Sequence, residues 1–137
     1  MGSRSTGTGH RIISIINDAA PPVPLLAFSY TGGLLSSITD WNQRQVAYGF
    51  TDGNLSSVSV IDGQDMQWQY GYTTIGGEPY LSTVSTINPA GGGNSTASVN
   101  YDNYGRVGSH TDANGAQRRC GYSGSSDTVQ VILSTAT

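Results

Sequence analysis

A chain of 137 residues has the length of one ordinary domain, and a formal charge of −3 with only one adjacent basic pair, Arg118-Arg119, excludes a general phosphate-binding surface. Charged residues make up only 11%, with no lysine and a single glutamate, Glu78, so amphipathic surface helices have almost none of their usual polar-face residues. Tyr, Thr, Val, Ile and 19 glycines suit strands and turns instead, so the expected fold is all-β with little or no helix. One cysteine, Cys120, excludes an intrachain disulfide framework, and no apolar run approaches a membrane span.

Residues 1–9 read as a tag or disordered leader outside the fold. Residues 10–27 read as an N-terminal strand plus a Pro-rich connector. Within the strand, Ile12, Ile13, Ile15 and Ile16 occupy both faces, the mark of a strand buried on both sides or one that needs a partner. The connector, Asp-Ala-Ala-Pro-Pro-Val-Pro, is stiff and is expected to hold that strand away from the first hairpin.

Residues 28–137 carry a repeat. FSYTGGLLSSITDWNQRQVAY, GFTDGNLSSVSVIDGQDMQWQY, GYTTIGGEPYLSTVSTINPAGGGNSTASVNY and YDNYGRVGSHTDANGAQRRCGY share one frame: aromatic, Gly turn, aliphatic, two small polar residues, aliphatic, second turn, strand ending in Tyr. The aliphatic anchors Leu35, Leu55, Leu81 and Val107 are spaced 20, 26 and 26 residues apart. Three positions later come Ile38, Val58, Val84 and, as the exception, His110. The closing pairs are Val46/Tyr48, Trp68/Tyr70, Val99/Tyr101 and Cys120/Tyr122; residues two apart share one strand face. Each segment therefore reads as a β-hairpin. A lone hairpin is marginal in water, so the hairpins are expected to pair consecutively into one twisted, strip-like antiparallel sheet. The final segment sets Val129, Val131 and Leu133 on one strand face, as half of a further hairpin.

The stretch Tyr101-Asp102, Gly105-Arg106-Val107, Asp112, Gly115, Tyr122 resembles the YD repeat, also called the RHS repeat, and the earlier segments are degenerate versions lacking Tyr-Asp and Gly-Arg. The resemblance covers about residues 28 to 122. It implies a β-sheet strip of the kind that spirals into hollow shells in bacterial toxins and related adhesion receptors. Those shells use many more hairpins. The self-cleaving terminal region of the family's toxins has no counterpart here, so no catalytic residue carries over.

His110 and Cys120, on one hairpin, are too few for a structural metal site and read as structural, as do Asp62 and Asp65 in a shared turn. No nucleophile–base pair, metal set, cofactor site or phosphate loop is found, so an enzyme ranks last. Trp41, Trp68, Tyr70 and Tyr101 are candidates for stacking on a sugar ring, the basis of a carbohydrate-binding alternative. The leading expectation is a structural, self-associating module at or outside the bacterial cell surface. Its partner is itself or the rest of a larger YD-repeat shell, with Ile12, Ile13, Ile15, Ile16, Val129, Val131 and Leu133 as assembly candidates.

Overall fold

The computed structural model describes residues 3–8, 11–62, 65–88, 93–122 and 129–134, with side chains described within 11–122. Among them there is no helix. The strands are β1 (Ser3–Thr8), β2 (Arg11–Asn17), β3 (Pro24–Thr31), β4 (Leu34–Asp40), β5 (Gln45–Thr51) and β6 (Asn54–Ile61). They continue with β7 (Gln67–Ile75), β8 (Glu78–Ile87), β9 (Ser95–Tyr101), β10 (Val107–Thr111), β11 (Gln117–Tyr122) and β12 (Val129–Ser134). All belong to one sheet whose strand order is the order in the chain. The fold is all-β, built from consecutive antiparallel hairpins, as the repeat requires. The chain divides into two compact units, Met1–Gln67 and Trp68–Thr137.

In the first unit, β3–β4 and β5–β6 turn tightly on Gly32-Gly33 (φ 56° and 92°) and Asp52-Gly53 (φ 51° and 79°). Positive φ at both central residues gives a backbone twist that matches the flanking strands. Two expectations for the N-terminal region do not hold. Ser3–Thr8 pair with β2 rather than lying outside the fold. And the Pro-rich connector does not hold β2 apart: β2 pairs directly with β3, Ser14 opposite Ala27 and Ile15 opposite Leu26. The reason is local. The Asn17 side chain accepts hydrogen bonds from the Ala19 and Val23 amides, and the Asn17 amide donates to the Val23 carbonyl at 3.0 Å, closing the connector into a hairpin loop.

The spacing of three between anchor and next aliphatic is odd for a strand, where residues three apart face opposite ways. A β-bulge resolves it. Across β3–β4 the register runs Ser29 opposite Ser37, then Tyr30 opposite Leu35, skipping Ser36. Across β5–β6, Gly49 faces Ser57, then Phe50 faces Leu55, skipping Ser56. Across β9–β10, Asn100 faces Ser109, then Tyr101 faces Val107, skipping Gly108. The same slip between β1 and β2 skips Ile13, with Thr6 opposite Ser14 and Gly7 opposite Ile12. Each extra residue returns the anchor to the face of the aliphatic three positions on.

The two faces consequently differ in chemistry. In the first unit Leu26, Phe28, Ile38, Val46, Tyr48, Val58 and Val60 lie on one face, while Ser29, Ser37, Ala47, Gly49, Ser57 and Ser59 lie on the other. In the second, Val84, Ala97, Val99 and His110 oppose a hydroxyl-bearing face on which Ser85 bonds Thr96 at 2.8 Å and Asn100 donates to Ser109. No described side chain, apolar or polar, is fully buried. The described side chains therefore enclose no core.

Candidate functional site on the aromatic face

The anchor carbonyl and the aromatic that closes its hairpin form a recurring pair. Tyr30 donates its hydroxyl to the Ile12 carbonyl at 2.9 Å, Tyr101 to Leu81 at 2.6 Å and Tyr122 to Val107 at 2.9 Å. A bulge disrupts the backbone ladder locally, and the phenol supplies a donor beside it. The residue before each of these anchors packs on the same ring. The Arg11 guanidinium lies 5.3 Å from the Tyr30 centroid, the Tyr80 and Tyr101 rings are 5.3 Å apart at 58°, and Arg106 sits 4.2 Å over Tyr122. Arg106 also lies 5.2 Å from the Tyr104 ring, so one guanidinium bridges two aromatics.

This geometry corrects the closing aromatics. Tyr101 and Tyr30 stand opposite the next anchor across the bulge; in β5 that place belongs to Phe50, opposite Leu55, and not to Tyr48. In β7 it belongs to Tyr72 rather than Tyr70. A Cβ on Gly71 would run into the Thr83 hydroxyl as one on Gly49 would run into that of Ser57, which makes Phe50 and Tyr72 equivalent. Thus β2–β3 is a further copy of the frame, and the closing aromatics of the first two repeats lie two residues beyond Tyr48 and Tyr70.

At the other hairpin ends stand aspartate turns. The Asp40 amide donates to the Arg44 carbonyl at 3.0 Å, its Oδ1 accepts from the Asn42 and Arg44 amides, and its Oδ2 accepts from Arg44 Nε at 2.7 Å. Asp102 repeats every one of these bonds with Tyr104 and Arg106, and Asp112 repeats the backbone set with Asn114 and Ala116. Partial loss of water opposes ionisation of Asp40 and Asp102. The hydrogen bonds from Arg44 and Asn42, or from Arg106 and Tyr104, together with the guanidinium charge, outweigh it and hold both carboxyls below their ordinary value.

The candidate sugar-stacking residues fall in different surroundings. Trp41 sits in the Asp40 turn of the first unit, 65% exposed, while Trp68 and Tyr70 are half-buried in β7, and Tyr101 spends its ring on Tyr80 and its hydroxyl on Leu81. Tyr80, Arg11 and Arg106 were not legible as ring contacts; the signal available was an Arg or Tyr immediately before the anchor, and Tyr104 carried none. Arg118, not Cys120, stands opposite His110 in the register. No group of three His, Cys, Asp or Glu able to hold a metal occurs among the described residues. No described helix is long and apolar enough to cross a membrane. The backbone of β12 sets Val129, Val131 and Leu133 opposite Tyr122, Cys120 and Arg118; their side-chain surroundings lie outside the described residues. Ile12, Ile13, Ile15 and Ile16 belong to a strand paired on both sides.

A groove of about 260 Å³ lies on the apolar face of the first unit, floored by Leu26, Ile38, Val46 and Val60 and rimmed by Asp40, Arg44, Gln45 and Asp62. A smaller one of about 110 Å³ lies between Val84, Val99 and His110 in the second. No protein-family model and no curated protein matches the chain.

Proposed function

We propose that this chain is a non-catalytic structural segment of the YD-repeat kind, extended at its end strands by further strands. These come from the rest of a larger YD-repeat shell or from another copy of the chain. The observation that supports the reading is the strand order: among the described residues each strand pairs only with its sequence neighbours, so β1 and β12 each have one side facing no other described strand of the sheet. Such an edge is a template for strand addition, and no lysine guards either end.

The residues that carry the YD resemblance are occupied in holding the hairpin. Asp102 closes a turn, Arg106 pairs with Asp102 and stacks on Tyr122, and Tyr101 and Tyr122 pin anchor carbonyls. Static light scattering with negative-stain electron microscopy tests the reading. The expected result is mass that grows with concentration and an ordered strip or shell in the images. A strict monomer across the whole range refutes self-extension and confines the reading to a segment of a longer shell.

A further inference from the structure

We propose that Asn114-Gly115, in the turn joining β10 to β11, is a site of spontaneous covalent modification, at which Asn114 closes to a succinimide and reopens as aspartate or isoaspartate, with the Asp112 side chain as the latch that restrains it. This chemistry is independent of the structural reading above and needs only water.

The pair stands out first in the sequence, where Asn114 is the one asparagine that precedes glycine. Asparagine is thermolabile because the backbone nitrogen that follows it can attack its Cγ, and a side chain on the following residue obstructs that attack. Asn114 and Gly115 are both exposed, and apart from its chain neighbours nothing lies within 4 Å of where a Cβ on Gly115 would stand. In the reaction the Gly115 nitrogen gives up its proton and bonds to Cγ, the Cγ–Nδ2 bond breaks, and ammonia leaves with that proton. Water then opens the ring. Attack at Cγ gives aspartate; attack at the main-chain carbonyl gives isoaspartate, which routes the backbone through the side chain and lengthens it by a methylene.

In the folded turn the nucleophile is engaged. The Gly115 amide donates to the Asp112 carbonyl at 3.0 Å, and Asp112 Oδ1 accepts from the Asn114 and Ala116 amides at 2.9 Å each. The turn has to open before the nitrogen reaches Cγ, so these bonds set the rate. Once formed, the product adds an acidic group to a turn already built on Asp112, and isoaspartate also overruns the span that the Asp112 to Ala116 bonds require. The hairpin end is loosened permanently. Asn42 supplies the comparison. It holds the same place in the Asp40 turn, its amide 2.9 Å from Asp40 Oδ1, but the next amide, 3.0 Å from the Asp40 carbonyl, belongs to Gln43.

Peptide mapping by mass spectrometry, on the full chain held in mildly alkaline buffer, tests the proposal. Deamidation is expected to accumulate at Asn114 ahead of Asn42, with isoaspartate among the products. Gly115→Gln, which gives Asn114 the surroundings of Asn42, is expected to slow it to the Asn42 rate. Asp112→Ala is expected to speed it about fivefold, the worth of roughly one net hydrogen bond, while Asp112→Asn, which keeps an Oδ1 acceptor, holds the wild-type rate. Should Asp112→Ala fail to fold, the wild type in denaturant supplies the unlatched rate, expected to exceed the folded one at least about fivefold. Reaction at Asn114 no faster than at Asn42, or an undiminished rate in Gly115→Gln, would overturn the site. Equal rates in the folded and denatured chain would overturn the latch.

Discussion

The Asp40–Arg44 and Asp102–Arg106 turns, one in each unit, are built from the same bonds. Asp amide to Arg carbonyl measures 3.0 and 2.8 Å, fourth-residue amide to Asp carbonyl 3.0 Å in both, and Arg Nε to Asp Oδ2 2.7 Å in both. They differ at the fourth residue. Gln43 holds φ 65° where Gly105 holds 77°. An aspartate side chain accepting from two amides therefore secures the turn firmly enough to keep a residue with a Cβ in the left-handed region. Glycine at 105 answers a second demand: a Cβ there would stand 2.6 Å from the Tyr80 hydroxyl. The turn sets the backbone, and the neighbouring strand decides which residue fits.

That comparison breaks most sharply at Gly105. Gly105→Gln, which copies the first turn into the second, is expected to cost about 2–3 kcal/mol by chemical denaturation, from left-handed strain plus collision with Tyr80. In a Tyr80→Ala background the collision component should vanish; an undiminished cost would show that conformation alone is responsible. Next comes the hydroxyl pin. Tyr122→Phe is expected to lose about 1–2 kcal/mol by removing the donor to the Val107 carbonyl. The opposite change, Phe50→Tyr, supplies a hydroxyl where the frame places one and is expected to gain about 1 kcal/mol. A loss there would mean that the β4–β5 hairpin does not share the geometry of β10–β11. Gln43→Gly, relieving the left-handed residue, is expected to gain about 0.5–1 kcal/mol in the same assay.

The smallest effect concerns pH, since both turns lie at the surface. Asp40 and Asp102 are held below their ordinary value in the folded chain. Their contribution is therefore fully present above the unfolded carboxyl value of about 3.9 and is lost as pH falls through the folded one. Thermal melts of the wild type should fall over that acid window, and Asp102→Asn should fall less steeply. An equal slope would remove the aspartate turn from the acid response.

Much of the fold is legible in the sequence because period-two alternation and Gly, Asn and Asp turns are local signals. Leu35, Leu55, Leu81 and Val107 are recognisable as anchors from their spacing alone. What the spacing does not disclose is the cause: an interval of three marks a bulge, and a bulge is visible only in the register. The same slip explains the displaced aromatics. Tyr48-Gly49-Phe50 and Tyr70-Gly71-Tyr72 each offer two rings on one face, and only pairing across the bulge shows which one meets the anchor. The first hairpin is hidden because a Pro-rich linker reads as a spacer, while its closure depends on one side chain, Asn17. Of the candidate site, the aromatic residues are visible but their employment is not. Tyr101 has the residue type that suits a sugar ring, yet its ring and hydroxyl are both engaged within the sheet.

The central claim is that the described residues of each unit form a two-faced sheet without an enclosed interior. The heat-capacity change of unfolding, measured by scanning calorimetry on the chain at a dilution where it is monomeric, tests it most directly. A chain of this length with an ordinary core would show about 1.6–2.1 kcal/mol/K. A value near half of that is expected, because every described side chain remains in contact with water. The full value in a dilute monomer would contradict the account, since it would require apolar surface to be buried within a single copy.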